Sequence, residues 1–302
     1  MLERDGRASL PAGSPARTEQ SPSTEERMAT IWILAVLLVL GWGYAPVLVE
    51  LFRDWLRDPN YSHGLLVPPI AGFLAWQRRR TWTATPSKAA PIGLAGVLGA
   101  GALLAVGAAG AEVFTQRVSF IVAVASVCVF LWGWRRFGVM AFPVAFVLLA
   151  IPLPYVIYYD LTAPMQTLAA KTAIHGLRAL GIPSVAEGNI IHLPGMSLEV
   201  AEACSGIRSL YAFLALGALF ARSLRLPTWG RWLVFVSTIP LSIAGNAVRV
   251  LGTGVAAHLG GAEMATGTVH EMFGLIVFVF ALGILALIGK GAKQLWRDAP
   301  SS

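Results

Sequence analysis

Charged side chains are scarce in this chain. Only 13% of its 302 residues are Asp, Glu, Lys or Arg, against about a quarter in an average soluble domain. Hydrophobic residues make up 56%, and the mean hydropathy is +0.67. So few ionised groups cannot cover a globule of this size with polar surface, which excludes a soluble enzyme and a disordered regulator. Cysteine is scarce too, with two in all. Cys128 lies inside an apolar run and Cys204 at the edge of another, so they sit at different depths and no disulfide-stapled secreted module is in view. Cys128 reads as a small apolar filler. The five histidines are scattered without the spacing of a zinc site, and no cofactor is implied. No internal repeat of useful quality is present.

What is abundant is long apolar runs. A spanning helix needs about 20 apolar residues to cross about 30 Å of hydrocarbon. Eight segments meet or approach that length: 30–50, 64–77, 91–112, 118–134, 137–155, 205–222, 231–250 and 270–289. The second is short and contains Pro68-Pro69; the fifth is broken near its end by Pro152 and Pro154, which packed neighbours tolerate. The expected fold class is therefore an all-α polytopic membrane protein with about eight transmembrane helices. Residues 1–28 are polar and aperiodic and read as a disordered cytoplasmic tail. Residues 29–290 form the transmembrane domain, and 291–302 a second cytoplasmic tail.

The net charge of +7 and a pI near 9.8 suggest nucleic acid at first sight, but the placement of Lys and Arg explains them better. With eight spans, one side collects Arg4, Arg7, Arg17, Arg27, Arg78, Arg79, Arg80, Lys88, Arg135, Arg136, Arg222, Arg225, Arg231, Lys290, Lys293 and Arg297. The other holds only Arg53, Arg57, Arg117, Lys171, Arg178, Arg208 and Arg249. The positive-inside rule then puts both termini in the cytoplasm. The other side owns one large loop, 156–203. Its first half, 161–180, has the period of a helix lying on the membrane surface. Its second half, 189–201, alternates around Pro194-Gly195 as a small β-hairpin leading to Cys204.

Polar groups inside spans are informative, because a charge in hydrocarbon costs at least about 2.5–3.5 kcal/mol. On this threading Cys204 opens span six on the outer side, Arg249 closes span seven there, and His270 opens span eight. A thiol, a guanidinium and an imidazole thus share one depth. A thiol attacks as the thiolate, which a helix N-terminus and a nearby cation favour. His270 fits as its base or ion-pair partner, and Arg249 as the holder of an oxyanion or a substrate carboxylate. That chemistry is acyl transfer through a thioester. Each residue also has a plainer reading: packing for Cys204, snorkelling for Arg249, a polar helix terminus for His270. Arg208, one turn beyond Cys204, and Asn246, one turn before Arg249, are accessory candidates; snorkelling is the preferred reading of Arg208.

The segment Glu202-Ala203-Cys204-Ser205-Gly206-Ile207-Arg208-Ser209 resembles the cysteine motif of the exosortase/archaeosortase family. Asn246-Ala247-Val248-Arg249 resembles its arginine motif. His270, followed by Gly274, is similar to the third motif, and Asn60-Tyr61-Ser62-His63-Gly64 to a further family segment. The resemblance implies a membrane-embedded cysteine protease/transpeptidase of the bacterial inner membrane, with its active site on the extracytoplasmic side. Cys204 would be the nucleophile, Arg249 the essential arginine and His270 the third catalytic residue. Its partners would be secreted proteins whose C-terminal sorting signal carries a Pro-Glu-Pro motif, one spanning helix and a basic tail. They would pass to a lipid or glycan acceptor in cells that make exopolysaccharide; the resemblance implies no role for His63. A rival reading from another class is a transporter or flippase of a polysaccharide precursor, with Arg249 gripping an anionic headgroup.

Overall fold

The computed structural model describes residues 24–200, 206–224, 226–265 and 267–297. Ten α-helices carry most of them: α1 Thr24–Arg57, α2 Val67–Gln77, α3 Arg79–Ala84, α4 Ile92–Ala109, α5 Val113–Phe146, α6 Tyr155–Ala179, α7 Ile207–Ser223, α8 Thr228–Val236, α9 Thr238–Gly260 and α10 Gly267–Arg297. One small sheet, β1 Val185–Glu187, β2 Ile190–Leu193 and β3 Met196–Glu199, stands between α6 and α7. The chain divides into two units, Met1–Ala45 and Pro46–Ser302, with the boundary inside α1 at Pro46. The first contributes an apolar stretch of α1 whose Leu34, Leu38, Val39 and Trp42 are exposed. The second holds everything discussed below.

By length and composition five stretches are able to cross a membrane: Leu34–Arg57, Ile92–Ala109, Val113–Ala150, Thr228–Gly260 and His270–Trp296. The expected count of about eight is not reached by that measure, because 64–77 and 205–222 form helices of only 11 and 17 residues. Two expected spans, 118–134 and 137–155, have also merged into one 38-residue stretch.

That stretch is not straight. Arg117, near its start, donates to Asp54 Oδ2 at 2.6 Å, and the carbonyl of Ala150, at its end, accepts from Trp55 Nε1 at 2.8 Å. A straight helix would separate residues 117 and 150 by about 50 Å, yet both meet neighbouring residues of α1. The reversal falls at Gly133, whose φ of +80° and ψ of 173° break the helix. Only a glycine fits: a Cβ there would stand 1.9 Å from the Lys88 carbonyl oxygen. The first arm lies antiparallel to α4, where Gly93 and Gly96 let the backbone close on Phe130 and Ser126. The second arm lies along α2, burying Val67 and Ala71 against Phe146 and Ala150. The turn end is basic. Arg136 Nε donates to the Thr85 carbonyl at 2.9 Å, and its guanidinium stacks 5.5 Å from the Trp82 ring. The opposite end carries the buried Arg117, paired with the half-buried Asp54, since a charge among helices needs a partner.

The stretch 156–203 departs in detail from its expectation. The helix is longer at its start, running from Tyr155, because Pro154 serves as its N-cap. The hairpin is present, with Ile191 opposite Leu198 and Leu193 opposite Met196 on one face. It is joined by a third strand, since Val185–Glu187 pairs antiparallel with β2. Ile191, Leu193 and Val200 share a core with Ala170, Ala173, Ile174 and Leu177 of α6 and with Val250 and Ala257 of α9.

α7, α9 and α10 pack as an antiparallel set. Gly217 of α7 faces Thr238 and Gly206 faces Asn246, while Gly245 of α9 faces Val277 and Ala281 of α10. Phe213 and Phe278 meet at 4.8 Å between centroids. α9 runs past the expected end of span seven at 250, on to Gly260, and packs on α6 and the sheet. Both expected tails are also partly helical: α1 begins at Thr24 and α10 reaches Arg297.

Candidate active site

Arg249 lies about three turns before the end of α9, and His270 in the first turn of α10. The antiparallel pairing of the two helices brings them together. Arg249 Nη2 is 2.9 Å from His270 Nε2, and His270 Nδ1 is 3.0 Å from Thr253 Oγ1. Thr253 Oγ1 in turn donates to the Arg249 carbonyl at 2.9 Å. The proton positions follow from the network. A guanidinium only donates, so Nε2 accepts. The threonine proton is committed to a carbonyl, so Nδ1–H donates to Oγ1. The imidazole is therefore neutral, with its hydrogen on Nδ1, and the three residues form a ring of hydrogen bonds closed through the Arg249 main-chain carbonyl.

Thr253 was not legible as a site residue, since a threonine bonded back to residue i−4 is ordinary helix chemistry. The only available signal was its i+4 spacing from Arg249 on the face toward α10. Gly274 shapes the same place: a Cβ there would lie 2.7 Å from Arg249 Nε, so its absence lets the guanidinium rest on α10. Arg249 Nε itself is buried and has no hydrogen-bond partner among the described residues. No carboxylate pairs with Arg249 among the described residues. Beneath it, a crevice lined by Ser209, Asn246, Arg249 and Gly274 has a volume of about 10 Å³, room for one water at most.

Asn246 is buried one turn below Arg249, with its side chain against Gly206. Gly206 takes φ +85° at the start of α7, and a Cβ there would stand 2.8 Å from Asn246 Cγ. Cys204 lies outside the described residues.

Arg208 is not part of the ring. It is exposed, and its Nε and Nη2 donate to Asn60 Oδ1 at 3.3 and 3.2 Å. Asn60 opens the segment that includes His63, and that segment packs on the start of α7. His63 stacks on Tyr211 at 5.1 Å and its Nε2–H donates to the Leu149 carbonyl at 3.0 Å. Tyr61, Tyr158 and Tyr211 complete an aromatic cluster around Ile207. Burial pushes the His63 imidazole below its usual range, against the opposing pull of the Leu149 and Asn60 backbone. Burial also drives the Tyr61 phenol well above its ordinary value.

These apolar helices define a multi-pass membrane protein, with a polar ring between α9 and α10. The transmembrane exosortase family model matches residues 55–287, and the chain belongs to that family. It is thus a multi-pass membrane protein, a transpeptidase of the exosortase kind. Neither the curated proteins nor the solved structures compared with it gave a match.

Proposed function

We propose that the protein is a cysteine protease/transpeptidase that cleaves the C-terminal sorting signal of secreted proteins. The signal is of the Pro-Glu-Pro type, and the cleaved protein passes to a lipid or glycan acceptor linked to exopolysaccharide. In this reading the Cys204 thiolate attacks the scissile carbonyl, forming a C–S bond. The oxyanion is held by guanidinium N–H groups of Arg249, including the unpartnered Nε. His270, neutral at the start, exchanges Arg249 for the thiol, takes its proton at Nε2 and returns it to the leaving amine as the C–N bond breaks. The acceptor nucleophile then resolves the thioester.

The observation that carries the reading is the Arg249–His270 contact, which joins two of the three family motifs at hydrogen-bond distance. The third is adjacent in sequence: Ser205 alone separates Cys204 from Gly206, and Gly206 packs on Asn246 one turn from Arg249. The threading proposed is eight spans in the bacterial inner membrane, with both termini cytoplasmic and the ring on the extracytoplasmic side. The reversal at Gly133 supports it, since it restores two antiparallel passes within the 38-residue stretch and leaves Arg135 and Arg136 at the turn.

The test is co-expression with a secreted reporter bearing such a signal. Cys204→Ala and Cys204→Ser should accumulate full-length reporter at unchanged enzyme levels. Continued processing by Cys204→Ala would refute the nucleophile and favour the transporter reading. Mass spectrometry of the mature C-terminus separates transfer from hydrolysis.

A further inference from the structure

Far from the polar ring, a second feature has no part in this chemistry. Between the second arm of α5, α7 and α8 lies a cavity of about 620 Å³, within the range of about 300–1,000 Å³ usual for ligand sites. Its walls are apolar, from Phe142, Phe146 and Leu149 to Ala218, Trp232 and Phe235. Two arginines also line it, Arg222 in the last turn of α7 and Arg231 in α8. The Nε of each is buried without a hydrogen-bond partner among the described residues. Among the described residues no carboxylate pairs with either, the ion pairs being Arg117–Asp54 and His192–Glu187. The Arg222 guanidinium lies 5.5 Å from the Phe142 ring, and both Arg231 and Arg78 are near enough to repel its charge.

Like charges gathered beside an apolar hollow, with donors unfilled, are unfavourable unless an anion joins them. The hollow asks for hydrocarbon and the guanidiniums for a phosphate, which they match as a planar fork. The level is that of a membrane interface. Phe142 is two turns along α5 from Arg135 and Arg136, and Trp229 and Trp232 are exposed on the same helix as Arg231, as in an aromatic belt. Basic pockets between helices on this side of a membrane are the kind that hold anionic headgroups.

We propose that this cavity binds one anionic phospholipid from the leaflet beside the basic loops, its phosphate on Arg222 and Arg231 and an acyl chain along Phe142 and Ala218. The site stands independently of the catalytic reading.

The test uses the full chain in nanodiscs of phosphatidylcholine, with and without phosphatidylglycerol, read by thermal unfolding and by lipid retention in native mass spectrometry. Phosphatidylglycerol should raise the unfolding midpoint of the wild type. Arg222→Gln with Arg231→Gln should unfold like wild type in phosphatidylcholine, lose that rise, and weaken lipid retention roughly ten-fold per arginine. If the double variant does not fold, Arg231→Gln alone and Ala218→Leu, which narrows the hollow and keeps both charges, should each weaken retention. Equal response of wild type and variants to phosphatidylglycerol would overturn the proposal. So would an equal rise with glycerol phosphate, which carries the anion without the chain.

Discussion

Arg117 and Arg249 are both set among the helices, and they are held in opposite ways. Arg117 is 4% exposed and has a carboxylate, Asp54, at 2.6 Å. Arg249 is half-buried and rests on the neutral imidazole of His270, on Gly274 and beside Thr253, with no carboxylate on it among the described residues. The first charge is paired where it stands and fastens α5 to α1, although its Nε, like that of Arg249, is buried without a hydrogen-bond partner among the described residues. The second is positioned but, among the described residues, not neutralised. A cation kept in that state inside a protein is poised for an anion that comes and goes.

Removing the unneutralised charge should have the largest effect. Arg249→Ala is expected to lower processing of the secreted reporter by at least about 10³-fold, and Arg249→Lys by roughly 10²-fold because the fork is lost, with normal amounts of folded protein. Near-normal turnover in Arg249→Lys would show that a point charge suffices.

Next comes the structural pair. Asp54→Ala should leave Arg117 buried and unpaired and cost about 2–3 kcal/mol of stability, discounted because the carboxylate is 39% exposed. Its activity per folded molecule should not change. A thermal melt alongside the reporter assay separates the two arginines; loss of specific activity in Asp54→Ala would erase the contrast.

Thr253→Val should reduce turnover by about 10- to 100-fold while leaving reporter binding intact, since one positioning hydrogen bond to His270 is removed. Thr253→Ser should restore most of it. If serine fails to rescue, packing rather than the ring explains the loss.

The smallest effect concerns His63. Its imidazole is pushed down by burial, so the unfolded chain binds the proton more readily than the folded one. Stability is therefore complete above the ordinary histidine range and declines as the pH drops below it. His63→Gln should flatten that acid limb of the melting curve; an unchanged limb would assign it to other groups.

The sequence discloses the apolar runs and the hairpin around Pro194-Gly195, because each rests on a local physical pattern. The contact of Arg249 with His270 was legible only through threading, which brings successive helix ends to one level. Other features were hidden for equally local reasons. The turn at Gly133 carries no polar loop, only Trp132, Trp134 and two arginines. The last turns of α9 are rich in Gly and Ala and look like the end of a span, although they pack on Leu177 and the sheet. β1 is three residues long and follows a proline, so it offers no alternation to read.

The sharp fold at Gly133 also bears on how the chain can be mapped. With a carbonyl 1.9 Å from where any side chain would begin, the corner has no slack for a reporter fusion or an inserted tag. A label spliced in there would pry the two arms apart and report on a damaged protein. Insertions in the irregular stretch around residues 85–90 that avoid Lys88 would probe the same face without that harm.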